Sequence, residues 1–215
     1  MKTGIVFDHS RGRALRARHF GGVLASVILL ASSVAFAASD EKEIGELYRR
    51  GLAGDKVAVV ECIDRLEATM QAQPGNQVAR VYLGSAYTLR SRDLGIGLEK
   101  IRVLKRGLTT MDEAVAAAPN EPKVLLVRAL TNSALPAFLG QAASSRRDFA
   151  RLAEIAENAP SKFQEGDLQV IYFQAGFAAK TRGDRAGARV FFRKSLTHPA
   201  DPALSEKARA ELSAH

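Results

Sequence analysis

From Asp40 onward, apolar side chains recur at steps of three and four positions, the period of helices that bury one face. Asp40 and Glu43 place carboxylates where a helix dipole favours them. Ile44, Leu47, Tyr48 and Leu52 then share a face, and Gly51 and Gly54 end the run. Asp55 opens a second helix with the stripe Val59, Cys62, Ile63, Leu66 and Met70, closed by Pro74-Gly75-Asn76. A third helix carries Leu83-Gly84 and Tyr87, and a turn is expected over Asp93 to Gly97. Leu98, Ile101, Leu104, Leu108, Met111, Val115 and Ala118 then predict one long helix beginning near Gly97 with a continuous apolar stripe. Asn120-Glu121-Pro122 starts the next helix, which should break near Pro136. Ser145 with Asp148 resembles a capping box, so the following helix is expected to open there and run through Phe149, Leu152 and Ile155 to Pro160. Ser161 to Asp167 reads as a linker with room for one helical turn.

The last pair of helices is the most plainly written. Leu168 to Pro199 reads LQVIYFQAGFAAKTRGDRAGARVFFRKSLTHP. Tyr172, Ala175, Gly176 and Ala179 face inward on the first helix and Ala188, Phe192 and Ser195 on the second, with Gly183-Asp184 as the turn. Asp201-Pro202 begins a final helix crowded with Glu206, Lys207, Arg209 and Glu211, a suitable polar end surface. The chain lacks tryptophan and is rich in alanine and leucine, so the expectation is an all-α fold.

Large aromatic, small pair and turn glycine, followed by small, large aromatic and small residues before a closing proline, resemble the tetratricopeptide pattern, with the proline one residue early. Leu83-Gly84 and Tyr87 with Gly107, Met111, Ala114 and Pro119 repeat it. So do Ile44-Gly45 and Tyr48 with Cys62, Leu66, Thr69 and Pro74. The third unit keeps the spacing, but Val127-Arg128 stands where Leu-Gly is usual and Asp148 where a small residue is usual. Prolines 74, 119, 160 and 199 lie 45, 41 and 39 residues apart, intervals that also suit HEAT-type repeats. The Gly-Tyr and Ala-Phe marks favour the tetratricopeptide reading. The resemblance implies an all-α superhelix of about four helical hairpins, over residues 40–76, 77–120, 121–160 and 167–199, with a capping helix over 201–213.

Composition changes this picture mainly at the N-terminus. Arg11, Arg13, Arg16 and Arg18 precede an apolar, small-residue run from Gly22 to Val34, and Ala35-Phe36-Ala37 has the form of a cleavage site. Residues 1–37 therefore read as a secretory signal, leaving 38–215 as one domain in the periplasm or outside the cell. The alternative is an uncleaved membrane anchor, because the run from Gly21 to Ala38 approaches the length of a spanning helix. No twin-arginine pair precedes the run, and no cysteine follows it to take a lipid. The leader carries five cations and one carboxylate, so its removal lowers the formal charge from +8 to +4. That takes away the main support for a nucleic-acid partner, and no recognition motif replaces it.

Candidate chemistry is sparse. Beyond residue 37 the only histidines are His198 and His215, and Cys62 is the only cysteine, so no usual zinc set can be assembled and no disulfide formed within the chain. Cys62 reads as a small buried hydrophobe, and His198 as a helix-end residue. No glycine-rich phosphate loop or G-x-S-x-G elbow is present. Pairs such as Asp112-Glu113 read as solvated charges. No metal, cofactor or catalytic residue is assigned, and an enzyme would rest on chemistry that no motif announces.

What the resemblance implies is binding of a protein or peptide along a concave surface made by the first helix of each hairpin. Carried onto the matching positions, the groove residues are Arg49, Ser85 and Thr88, Asn132, and Phe173, Phe177 and Lys180. Two readings of the phenylalanines stay open, groove or core. The segment 90–106 is basic, and Arg102, Lys105 and Arg106 can share the outer face of the long helix. That face is either a solvated surface or a contact for anionic lipid headgroups, an envelope polymer or an acidic partner.

Overall fold

The computed structural model describes residues 40–214, and the packing below lies within Ile44–His215. The expected signal and its cleavage site fall outside the described residues. Helix α1 (40–52) is followed by α2 (Lys56–Ala72), α3 (Gln77–Asp93), α4 (Leu98–Ala117), α5 (Pro122–Ala134), α6 (Ala142–Asn158), α7 (Glu165–Thr181), α8 (Arg185–Leu196) and α9 (Pro202–Ser213). Two single 3-10 turns, Ala137–Leu139 and Pro160–Lys162, flank α6, and no strand occurs among the described residues.

Asp55 caps the helix it was expected to open, and the turn residues Asn76 and Asp184 also serve as caps. Asp55 accepts from the Val57 and Ala58 amides at 3.1 and 3.0 Å, Asn76 from Ala79 at 2.9 Å, and Asp184 from Gly187 at 2.8 Å. Pro122 and Pro202 sit in the first turns of α5 and α9, where a missing amide proton costs nothing. At Gly183 the backbone enters the left-handed region (φ 81°) to reverse the chain between α7 and α8.

Two boundaries differ from expectation. Helix α7 begins at Glu165, inside the stretch 161–167 expected as a linker, because Gln164 and Asp167 form a capping box there. Helix α6 begins at Ala142, a turn earlier than the Ser145–Asp148 pair predicts. Gly140, at φ 73°, has already turned the chain after the 3-10 segment, so Ser145 and Asp148 lie inside the helix. The Ser145 hydroxyl donates across to the Ala129 carbonyl at 2.9 Å. Asp148 receives the Arg128 guanidinium, Nε at 2.8 Å and Nη2 at 2.7 Å.

Successive helices pack in series, and α3 also meets α5 as α7 meets α9. Three apolar clusters run along the stack. Cys62, Leu66, Leu83 and Tyr87 join the first two hairpins; Met111, Val124, Phe149, Leu152 and Ile171 bind α3 through α7; Phe173, Phe192 and Ala208 seat the last hairpin on α9. Leu83, Met111, Leu152 and Phe192 are all buried, as shared hairpin interiors require.

The small-residue marks of the repeat have a steric cause where helices cross. A Cβ on Gly84 would stand 2.7 Å from the Gly107 carbonyl oxygen and 2.6 Å from Met111 Cγ, and one on Gly107 would stand 2.6 Å from the Gly84 oxygen. A Cβ on Gly176 would meet the Phe192 ring at 2.6 Å. In the third hairpin the same crossing is held by the Arg128–Asp148 pair, with side chains only 13% and 5% exposed. Burial pulls the Arg128 pKa down, but its hydrogen bonds and charge interactions with Asp148 and Asp112 outweigh this and raise it.

The capping helix is fastened by Gln169, which is fully buried. Its Nε2 donates to the Asp201 carbonyl and the Ser205 hydroxyl, both at 2.9 Å, and its Oε1 accepts from the Asp201 amide at 2.6 Å. Every polar atom of that amide group is thereby used.

Candidate functional site

The inner faces of α1, α3 and α5 form the floor of a groove of about 1200 Å³. Tyr48 and Leu52 come from α1, Tyr82, Ser85, Thr88 and Leu89 from α3, and Leu126, Leu130 and Thr131 from α5. One wall is the start of α4, through Ile101 and Leu104. The other is the apolar connection Leu135, Pro136, Phe138 and Leu139, with Phe163 beyond it. Arg92, Lys100, Lys123 and Lys162 line the same groove with one carboxylate, Asp167.

Apolar surface here is exposed. Phe138 is 85% exposed, Ile101 63%, Leu52 55% and Leu130 39%. The long stripe of α4 accounts for one of these: its C-terminal half buries Met111 and Val115, whereas Leu98 and Ile101 at its start are exposed. The predicted continuous core stripe is therefore core only beyond its first turns, and Ile101 becomes groove wall.

Polar groups are concentrated in a chain across the floor. Tyr48 Oη lies 2.7 Å from Ser85 Oγ, which lies 2.8 Å from Thr131 Oγ1, linking α1, α3 and α5. Burial raises the Tyr48 pKa against the opposing effect of the Ser85 hydrogen bond, so the phenol stays protonated. Three hydroxyls joined by two hydrogen bonds keep one proton beyond those two bonds for an outside acceptor. Tyr48 also meets the Tyr82 ring edge-on, with centroids 4.9 Å apart.

Of the residues singled out from sequence, Ser85 and Thr88 lie in this floor, and the Thr88 hydroxyl donates to the Ser85 carbonyl at 2.7 Å. Arg49 is exposed and pairs with Glu46, outside the groove lining. Asn132 is buried and points its amide at the Ser144 hydroxyl, 2.9 Å away on α6. Phe173 and Phe177 pack with Phe192 beneath Leu204 and Leu212 of α9, so the core alternative holds for Phe173 and Phe177 is half-buried beside it. Lys180 pairs with Glu211 of α9 at 2.6 Å. Helix α9 covers the surface on which another hairpin could have stacked, and the aromatic end of the expected groove goes beneath it.

The basic face of α4 is partly committed within the chain. Arg102 pairs with Glu99, and Arg106 pairs with Glu67 at 3.0 Å while lying 4.2 Å over the Tyr87 ring. Lys105 is exposed. His198 Nδ1 lies 2.8 Å from Glu165, with its ring stacked on Tyr172. Among the described residues no group of three His, Cys, Asp or Glu side chains could hold a metal, and no helix is long and apolar enough to cross a membrane.

Leu52, Ile101, Leu130 and Phe138 were not singled out as site residues by sequence reasoning. Their signal was present only as apolar residues at stripe ends, and as an apolar segment, Leu135–Leu139, where a connection is ordinarily polar.

No protein-family profile matches the chain, and no curated protein does. Among solved structures it is similar to a thermophilic tetratricopeptide protein of Thermus thermophilus, with a TM-score of 0.54 and 17% identity over 87% of this chain and 94% of that one. At that identity the likeness is one of fold: the chain is an all-helical stack of tetratricopeptide type. Stacks of this kind serve as scaffolds for protein interaction, because neighbouring hairpins leave an extended concave surface.

Proposed function

We propose that this chain is an exported, non-catalytic scaffold that holds a peptide segment of a protein partner in the groove across α1, α3 and α5. The observation that supports the reading is the uncovered apolar surface of Leu52, Ile101, Leu130 and Phe138, collected around one concavity instead of scattered. A folded chain gains nothing by leaving these side chains in water unless something else covers them. The hydroxyl chain of Tyr48, Ser85 and Thr131 supplies a donor in an otherwise apolar floor, suited to a backbone carbonyl of a bound segment. The signal-like composition of residues 1–37 supports a working place in the periplasm or cell envelope.

The test is crosslinking enrichment from envelope extracts with the intact chain and with Ile101→Asp plus Phe138→Asp. Both positions are mostly exposed, so the variant should keep its melting midpoint. A partner captured by the parent and lost from the variant is the expected result. Identical partner sets from the two proteins would refute the groove as the binding face.

A further inference from the structure

A second depression, of about 370 Å³, shares no residue with the groove. Its floor is made of small side chains, Ala143 and Ala150 of α6 and Ala178 of α7. Around them stand Arg146, Arg147 and Arg151 of α6, and Arg182 at the C-cap of α7, against a single carboxylate, Glu154. That carboxylate is taken: Arg151 binds it at 2.7 Å and donates to Asn120 Oδ1 at 2.8 Å. The guanidinium groups of Arg146, Arg147 and Arg182 form no ion pair or hydrogen bond among the described residues.

This arrangement works against the helix that carries it. Arg147 and Arg151 are like charges at i and i+4, and Arg146 and Arg147 stand in the second turn of a helix whose first turn has no acidic residue. An anion in the depression would relieve both. The cations are all arginine, whose planar forks suit two-point contact with an oxyanion. A carboxylate offers one plane and one charge, whereas a phosphate group offers oxygens in several directions and up to two charges, enough for three guanidinium groups converging from two helices. No aromatic ring lines the site, so nothing there would stack a base.

We propose that the depression between α6 and α7 binds a phosphate-bearing anion through Arg146, Arg147 and Arg182. A soluble phosphate compound and a phospholipid headgroup share this chemistry, and the experiment separates them. The full chain is titrated calorimetrically with inorganic pyrophosphate at low ionic strength, alongside two double variants. Arg147→Gln with Arg182→Gln alters the depression, and Arg193→Gln with Arg209→Gln removes two exposed cations elsewhere. Pyrophosphate should bind the parent, weaken as salt rises, and lose about tenfold or more in affinity only in the first variant. Equal weakening in both variants would reduce the effect to net charge and overturn the proposal, as would no binding to the parent. Thermal melting of each variant checks that the fold is intact. In the second arm, the same proteins are sedimented with phosphatidylcholine vesicles with and without phosphatidylglycerol. Loss of the phosphatidylglycerol-dependent fraction in the first variant alone identifies a lipid headgroup as the source. An unchanged fraction beside lost pyrophosphate binding identifies a soluble one.

Discussion

Gly84→Ala isolates the contact on which the second hairpin is built. In water, alanine at an interior helical position is favoured over glycine by about 0.8–1 kcal/mol. In this chain the added methyl would stand 2.6 Å from Met111 Cγ, 2.7 Å from the Gly107 oxygen and 2.8 Å from the Met111 nitrogen. Two of those three atoms are backbone, so no rotamer change removes the overlap, and α3 and α4 would have to part along a crossing that also holds Tyr87 and Met111. Overpacking of that kind costs about 1–3 kcal/mol, and more where backbone must move. The net expectation is destabilisation by about 2 kcal/mol, or a melting midpoint lower by about 4–8 °C for a domain of this size. Gly45 is the internal control. It occupies the corresponding place in the first hairpin, but a Cβ there would meet nothing within 4 Å, so Gly45→Ala should stabilise by about 0.5–1 kcal/mol. Far-UV circular dichroism melts of the two variants should move in opposite directions. A Gly84→Ala protein melting at or above the parent would refute the close crossing and the steric account of the repeat glycine.

The other expectations concern burial. Asp148→Ala leaves Arg128 at the third crossing with only the exposed Asp112 as partner, and should cost about 3 kcal/mol. Arg128→Met with Asp148→Leu should cost much less, and additive single losses in urea titrations would show that the pair is not coupled. Burial lifts the Cys62 thiol from 9.0 to about 11. The unfolded chain therefore releases that proton first, so the thiol's contribution to stability is complete below pH 9 and is lost as pH rises toward 11. Cys62→Ala should flatten that part of the pH profile, and an unchanged slope would remove the buried thiol as its cause.

The architecture was legible because each hairpin repeats a short code with a local cause. Asp55 and Asp201 cap the helices they were expected to open, the turn residues Asn76 and Asp184 cap two more, and Gly97 and Pro122 mark starts realised within a residue. One exception, Ser145 with Asp148, has the spacing of a cap but serves a different pairing. What decides is whether a residue distant in sequence, Arg128, arrives opposite Asp148, and a capping pattern contains no information about that. Identity to the repeat is equally blind to neighbours: Gly45 and Gly84 match the same mark, yet only Gly84 lies against another backbone.

The groove was less legible than the fold for the same reason. Of the positions carried over from the resemblance, Ser85 and Thr88 fall in its floor, because those depend on helix phase, which the repeat fixes. Phe138 and Ile101 were not among them, because these come from the two segments in which the chain departs from the repeat: the apolar bridge before α6 and the extended start of α4. Phe173, Phe177 and Lys180 have the right phase, but lie at the last hairpin, where α9 takes the place a partner or a further repeat would occupy. A groove in a stack is thus written by two kinds of sequence, the periodic part that sets its floor and the irregular part that sets its walls. In this chain the two most exposed apolar side chains of the groove, Phe138 and Ile101, stand in its walls, at positions that no repeat pattern marks.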